Sequence, residues 1–226
     1  MVILSALTPA FARADEPAKL RLHKGERIVF LGDSITAAGA RDAKGYVKLV
    51  AQELSTRHPD LMTEVIGAGI SGNKVPDLEK RLQRDVLDRR PTLVVIYIGI
   101  NDVWHGEKDP SRGTPKDRFE AGLKHLTQQI KSAGANVLLC TPSVIGEKAD
   151  GSNTLDHLLD EYSDLTRKVA REERVPVCDL RKEFLAYLKS KNPENRDKGV
   201  LTTDRVHLNE AGNRFVAERI LHCLGE

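Results

Sequence analysis

Aromatic residues make up only 4% of the chain's 226 residues, with a single tryptophan. That leaves few rings to sandwich an isoalloxazine, so a flavin carrier is disfavoured. There are three cysteines, Cys140, Cys178 and Cys223, and none forms a C-x-x-C pair. They are too few and too scattered for a disulfide framework and read as free thiols packed as small hydrophobes. Charge of one sign is also lacking: 35 Lys and Arg stand against 33 Asp and Glu, a net +2. A nucleic-acid partner would need a dense basic face, and none is expected here. No apolar run approaches the roughly 20 residues that cross a bilayer, so no stable membrane insertion is expected. There is no H-E-x-x-H and no Cys, His or carboxylate set at ligand spacing, so no metal and no cofactor are expected. With 17 glycines and 10 prolines, near average usage, a collagen-like or low-complexity chain is excluded as well.

What is present is a chain that is 40% hydrophobic and 30% charged, enough for a core and a well-solvated surface. The length suits a single α/β domain over residues 15–226. Residues 1–14 stand apart. Val2 to Phe11 is mostly apolar, and Ala12-Arg13-Ala14 fits the small-x-small pattern of a signal-peptidase site before Asp15. A basic n-region is missing. The segment is read as a signal-peptide remnant, which places the protein in the periplasm or outside the cell. A frayed apolar N-terminus, with a cytoplasmic protein, is the alternative.

From Arg27 onward, short apolar runs alternate with amphipathic segments. The runs are Ile28-Val29-Phe30-Leu31, Glu64-Val65-Ile66, Leu93 to Ile98, Val137-Leu138-Leu139 and Val175 to Cys178. They are continuous and rich in β-branched residues, as parallel strands buried on both faces are. Helical faces lie between them: Tyr46, Leu49, Val50 and Leu54; Val75, Leu78, Leu82 and Val86; Phe119, Leu123, Leu126 and Ile130; Leu155 to Val169. Thr114 is expected to cap the third of these, with Pro115 in its first turn. A last helix is expected from near Asn209. The alternation implies a parallel sheet with helices on both faces, and its chemistry belongs in loops beyond the carboxyl ends of the strands.

Three such loops and one later segment carry candidate chemistry. Gly32-Asp33-Ser34-Ile35-Thr36 follows the first strand; it lacks the second glycine of G-x-S-x-G, which disfavours an α/β-hydrolase elbow. Gly67-Ala68-Gly69-Ile70-Ser71-Gly72 follows the second. It is literally a G-x-G-x-x-G string, but it sits after the wrong strand and lacks an acidic ribose-binder, so a dinucleotide site is not expected. Gly99-Ile100-Asn101-Asp102 follows the third, and a neutral amide donor such as Asn101 suits a developing oxyanion. Asp204 and His207 lie three residues apart before the last helix, where a carboxylate can fix an imidazole tautomer. Alone, each reads equally as a turn, a cap or a surface pair.

Together they resemble the SGNH (GDSL-like) hydrolase family, whose four blocks carry Ser, Gly, Asn and His. G-D-S-I-T supplies the Ser block at Ser34, A-G-I-S-G the Gly block at Gly69, and G-I-N-D the Asn block at Asn101. D-x-x-H-L supplies Asp204 and His207. One departure is Gly67, where members often carry Asn. The resemblance runs from about residue 26 to the C-terminus. It implies a flavodoxin-like three-layer α/β/α sandwich with a five-stranded parallel sheet, and ester hydrolysis through an acyl-enzyme. Ser34 is then the nucleophile, His207 the base and Asp204 its orienting group. Ser34, Gly69 and Asn101 form the oxyanion hole, and Asp33 and Asp102 brace the loops.

Trp104 and His105 follow the Asn block and are candidates for the pocket rim. The indole could stack on a sugar ring or anchor the loop. The loops at 104–115 and 143–153 are polar, with no amphipathic lid, which favours short-acyl esters and, with export, O-acetyl esters of carbohydrates. A lysophospholipase or thioesterase is the alternative within the family. A non-catalytic flavodoxin-like binding module is the alternative outside it, although Asp33 would repel a phosphate in that loop.

Overall fold

The computed structural model describes residues 20–226. The expected signal segment, residues 1–14, lies outside the described residues. Five parallel strands form one sheet in the order β2-β1-β3-β4-β5. They are β1 (Arg27–Gly32), β2 (Glu64–Gly69), β3 (Leu93–Tyr97), β4 (Asn136–Cys140) and β5 (Val177–Cys178). The helices are α1 (Ser34–Arg41), α2 (Tyr46–Arg57), α3 (Val75–Asp85), α4 (Ile100–Trp104), α5 (Lys116–Ser132), α6 (Asp156–Glu173), α7 (Leu180–Lys191) and α8 (Glu210–Cys223). On one side of the sheet α5 packs against α3 and α6, and on the other α2 packs against α1 and α8. Phe184 of α7 meets Phe215 of α8 edge-on at 5.2 Å, which ties α7 to the second layer. This is the flavodoxin-like three-layer arrangement with its strand order reversing beside β1.

The central strands explain why the apolar runs are continuous. Ile28, Val29, Phe30 and Leu31 of β1 and Val94, Val95 and Ile96 of β3 are all fully buried. Both faces of these strands are covered by helices, so every position is an inward one. Burying each such side chain contributes about 1.5–3 kcal/mol before entropy is counted. The two edges differ from the sequence expectation. β2 is half-exposed along its length and continues to Gly69, because it has a neighbour on one side only. β5 is reduced to Val177–Cys178, since Pro176 has no N–H to lend to a ladder.

Two helix boundaries also differ. α5 starts at Lys116 with Pro115, not Thr114, at the cap, because the first helical bond runs from Phe119 N to Pro115 O at 2.8 Å. α7 has no counterpart among the expected helices, although Leu180, Phe184 and Leu188 recur at helical spacing and are buried. Asp179 caps it, accepting from Lys182 N at 3.2 Å. The last helix begins after Asn209, whose side chain accepts from Gly212 N at 2.9 Å.

Candidate active site

The first strand delivers Ser34 through a constrained turn. A Cβ on Gly32 would lie 2.2 Å from Thr36 Oγ1 and 2.5 Å from Tyr97 O, so only glycine fits there. Asp33 then caps α1, its Oδ1 accepting from Ile35 N at 2.9 Å. Ser34 is left as the first residue of α1, half-buried, with no intrahelical partner for its N–H. Burial, reinforced by the nearby Asp102 carboxylate, raises the Asp33 pKa to about 7 against the pull of the Ile35 N–H.

The segment before α8 brings the imidazole onto this serine. Ser34 Oγ lies 2.9 Å from His207 Nε2, across 173 residues of sequence. On its other side His207 Nδ1 is 2.7 Å from Asp204 Oδ2. Asp204 Oδ1 accepts from the backbone N–H of His207 at 2.8 Å and of Val206 at 3.2 Å. With Nδ1 donating to a carboxylate, the free tautomer leaves Nε2 to accept from the serine hydroxyl. Burial pushes the Asp204 carboxyl upward, but its bonds from His207 more than offset this and hold it below the usual carboxylate range.

Asn101 stands in the first turn of α4, buried, beyond the end of β3. Gly99 enters that turn at φ 123°, which other residues rarely adopt. Asn101 Nδ2 donates to Asn73 O at 3.1 Å, so the third loop is stitched to the second. Asp102, beside it, accepts from Val75 N at 3.1 Å and so holds α3 to α4. Burial raises its pKa to about 6. Asp33 and Asp102 therefore do brace the loops around the serine.

Gly69 is a correction to the expected oxyanion donors. It is the last residue of β2, and its neighbour Ile70 sends its N–H to Gly32 O at 3.2 Å. Successive N–H groups of a strand point to opposite edges, so the Gly69 N–H faces away from β1 and from Ser34. What Gly69 supplies is room. A Cβ there would sit 2.2 Å from Ala37 N and 2.7 Å from Asp33 O, inside the first turn of α1. Three residues on, Gly72 occupies the loop itself at φ 78°, next to Asn73 and within reach of the His105 ring. Its N–H takes no backbone or side-chain acceptor among the described residues.

Sequence reasoning also missed Arg81. Its guanidinium is buried and bonds Asn73 Oδ1 at 2.7 Å, Gly32 O at 2.8 Å and Ala68 O at 2.9 Å. It thereby clamps the ends of β1 and β2 and the loop carrying Gly72. The available signal was a charged residue three after Leu78, on the apolar face of α3. Trp104 ends α4 and packs partly buried against the core, with its ring 6.5 Å from that of His105. Burial, with Lys74 and Arg112 nearby, lowers the His105 pKa below the ordinary histidine value.

Comparison with known proteins agrees with this geometry. Residues 30–215 match the GDSL-like lipase/acylhydrolase family. An acetylxylan esterase from Geobacillus stearothermophilus is 31% identical over 219 residues, covering 91% of this chain and 97% of that protein. The crystal structure of an acetyl xylan esterase, AlAXEase, superposes with a TM-score of 0.84 at 45% identity, covering 88% of this chain and 99% of that one. A mouse isoamyl acetate-hydrolyzing esterase 1 homolog is 26% identical, covering 84% of this chain and 78% of that protein. The chain belongs to the GDSL-like lipase/acylhydrolase family, and it is a carboxylic ester hydrolase. Catalytic mutants of the Geobacillus enzyme replace one serine, one aspartate and a histidine three residues after that aspartate.

Proposed function

We propose that this enzyme removes short acyl groups, O-acetyl above all, from carbohydrates by way of an acyl-enzyme on Ser34. The observation that carries the reading is the hydrogen-bonded chain from Ser34 Oγ through His207 to Asp204 Oδ2. His207 Nε2 takes the hydroxyl proton as Ser34 Oγ bonds to the ester carbonyl carbon, and Asp204 stabilises the resulting imidazolium. The imidazolium returns the proton to the departing sugar oxygen as the ester C–O bond breaks. Water repeats the sequence, releasing acetate and restoring Ser34. The oxyanion is held by the N–H groups of Ser34 and Gly72 and by Asn101 Nδ2, donors that need no reorganisation as charge develops.

The acetyl and carbohydrate parts rest on the acetylxylan esterases that the chain resembles. An open site agrees with them: Asp204 and His207 are accessible, and residues 107–112 beside it are exposed and polar. His105 and Trp104 are assigned to the rim of the sugar side. No helix among the described residues is long and apolar enough to cross a membrane. Export is part of the same proposal, resting on the Ala12-Arg13-Ala14 pattern and on a polymeric substrate.

The deciding experiment sets p-nitrophenyl esters of increasing chain length beside acetylated xylo-oligosaccharides. Turnover should be highest with acetyl esters, and acetate should be released from the sugars. A preference for acyl chains of eight carbons or more, with acetylated sugars untouched, would replace this reading with a lysophospholipase or thioesterase.

A further inference from the structure

Two of the three residues of the Ser34 relay sit in a segment with almost no regular structure. Between α7 and α8 the only pairing beyond turns is the bridge of Thr202 with Leu208. Yet the His207 ring must be held to a few tenths of an ångström for its bond to Ser34. The stiffness has to come from somewhere else.

It comes from a buried carboxylate on a different loop. Glu147 follows β4, and the residue is fully buried. Its Oε1 accepts from Leu201 N at 2.6 Å and from Thr202 N at 2.5 Å, while Oε2 accepts from Val200 N at 2.7 Å. Three consecutive backbone N–H groups thus converge on one side chain. Main-chain bonds reinforce the junction: Glu147 N to Asp197 O and Gly146 N to Arg205 O, both 2.9 Å. The gathered segment is then tied forward to the base, with Asn209 N on Leu201 O at 2.9 Å and Thr203 N on His207 O at 2.8 Å. Gly212 of α8 approaches so closely that a Cβ would lie 2.0 Å from Leu201 O.

We infer that Glu147 is a positioning residue for hydrolysis: its carboxylate fixes the 200–202 backbone and thereby seats Asp204 and His207 against Ser34. This rests on the reading of His207 as the base. The charge matters as well as the shape. A carboxylate offers acceptors at both oxygens, whereas the amide of a glutamine would turn a donor toward at least one of the three N–H groups.

The test is a cycle of Glu147→Gln, His207→Ala and the double variant, with turnover of p-nitrophenyl acetate measured where circular dichroism shows each to be folded. Glu147→Gln should lower kcat on the order of 10²-fold, the cost of misplacing a reacting group by about 1 Å, with little change in KM. Glu147→Asp, which keeps the charge at shorter reach, should recover part of the loss. In the His207→Ala background Glu147→Gln should cause no further fall, because its effect passes through the imidazole. Wild-type kcat in folded Glu147→Gln, or the full loss persisting without His207, would overturn the inference. Should the glutamine variant not fold, Glu147→Asp carries the same cycle. Undiminished turnover in His207→Ala by itself would instead remove the base assignment, so the two failures are distinguishable.

Discussion

The two halves of the site are built on opposite principles. On the serine side Asp33 is 2% exposed, Asp102 2% and Asn101 4%, and all three stand within five residues of a strand end. On the base side the Asp204 and His207 side chains are 51% and 35% exposed and sit in a loop. The first half inherits its precision from the sheet, in which β1 is paired in register with β2 on one side and β3 on the other. The second half has no strand to inherit from. It borrows rigidity from its neighbours: Glu147 of another loop accepts from Leu201 N, and Asn209 at the start of α8 donates its N–H to Leu201 O. A nucleophile and its oxyanion donors can be carried by local motifs, whereas a base loop must be anchored from outside.

The largest expected effect breaks the bond between the halves. Ser34→Ala should lower kcat on the order of 10⁶-fold, and His207→Ala about as much, while Asp204→Ala should cost less, on the order of 10⁴-fold. The three losses should not add, because the residues act as one unit; a double variant far below the singles would show that the halves act independently. A phosphonate or sulfonyl fluoride should label Ser34 alone, read by peptide mass mapping.

Next in size is a change confined to the serine side. Asn101→Ala should lower kcat by about 10²–10³ with little change in KM, since the bond to the oxyanion strengthens only as charge develops. Asn101→Asp should be at least as damaging, because a carboxylate repels that charge while keeping the shape. Unfolding curves measured alongside separate this from a turn-forming role. Loss of stability with unchanged kcat in the folded fraction would assign Asn101 to the loop alone.

A smaller effect should appear in stability against pH. Asp33 and Asp102 have pKa values raised in the fold, to about 7 and about 6, mainly by burial. A carboxyl raised in this way favours the folded state when protonated. The stability it supports is complete below the unfolded carboxylate value, near 4, and is lost as pH rises through about 6 to 7. Each group can contribute up to about 1.4 kcal/mol per pH unit across that window. Asp33→Asn keeps an acceptor for Ile35 N and the cap, so it should flatten the decline and be more stable than wild type at pH 8. Denaturant midpoints from pH 4 to 8 measure this; an unchanged slope would mean that Asp33 stays ionised. Asp204 has the opposite sign, its pKa lowered, so the base side loses stability as pH falls instead.

The smallest effect distinguishes Gly69, at the end of β2, from Gly72 in the loop that follows. Gly72→Ala meets nothing closer than 3.9 Å and should cost about 1 kcal/mol for its positive φ, with kcat changed through the oxyanion loop. Gly69→Ala should destabilise more, through its clash with the first turn of α1. Equal stability losses in thermal unfolding would show that the packing at Gly69 is softer than its distances indicate.

Much of this was readable in the chain itself. The central strands announce themselves because residues buried on both faces must all be apolar, and Ile28–Leu31 and Leu93–Ile98 are. Ser34, Asn101, Asp204 and His207 stand in short motifs whose order carries the resemblance. The Gly motif was legible as a loop but not in its detail. Which of Gly69 and Gly72 points an N–H inward depends on where β2 ends, and that is set by its pairing with β1. α7 went unrecognised beside β5 because a strand of two residues leaves little apolar run to mark where helix begins.

The sequence alone thus marked the sheet, most of the helices that cover it, and four residues whose types and order suit acyl transfer. These depend on local pattern: apolar continuity, helical spacing and residue types that only certain turns and chemistries require. Only the tertiary structure decided that Arg81 and Glu147 belong to the site. Arg81 shows in the chain only as a charge on the apolar face of α3, with nothing to name its partners, and Glu147 after β4 looks like a solvated charge. The partners that tie them to the site are largely backbone groups, at Gly32 and Ala68 for Arg81 (beside the Asn73 side chain) and at residues 200–202 for Glu147. Every residue has such groups, so no residue type reveals them. They become recognition elements only when the fold brings residues 13, 49 or 55 positions apart to within a hydrogen bond.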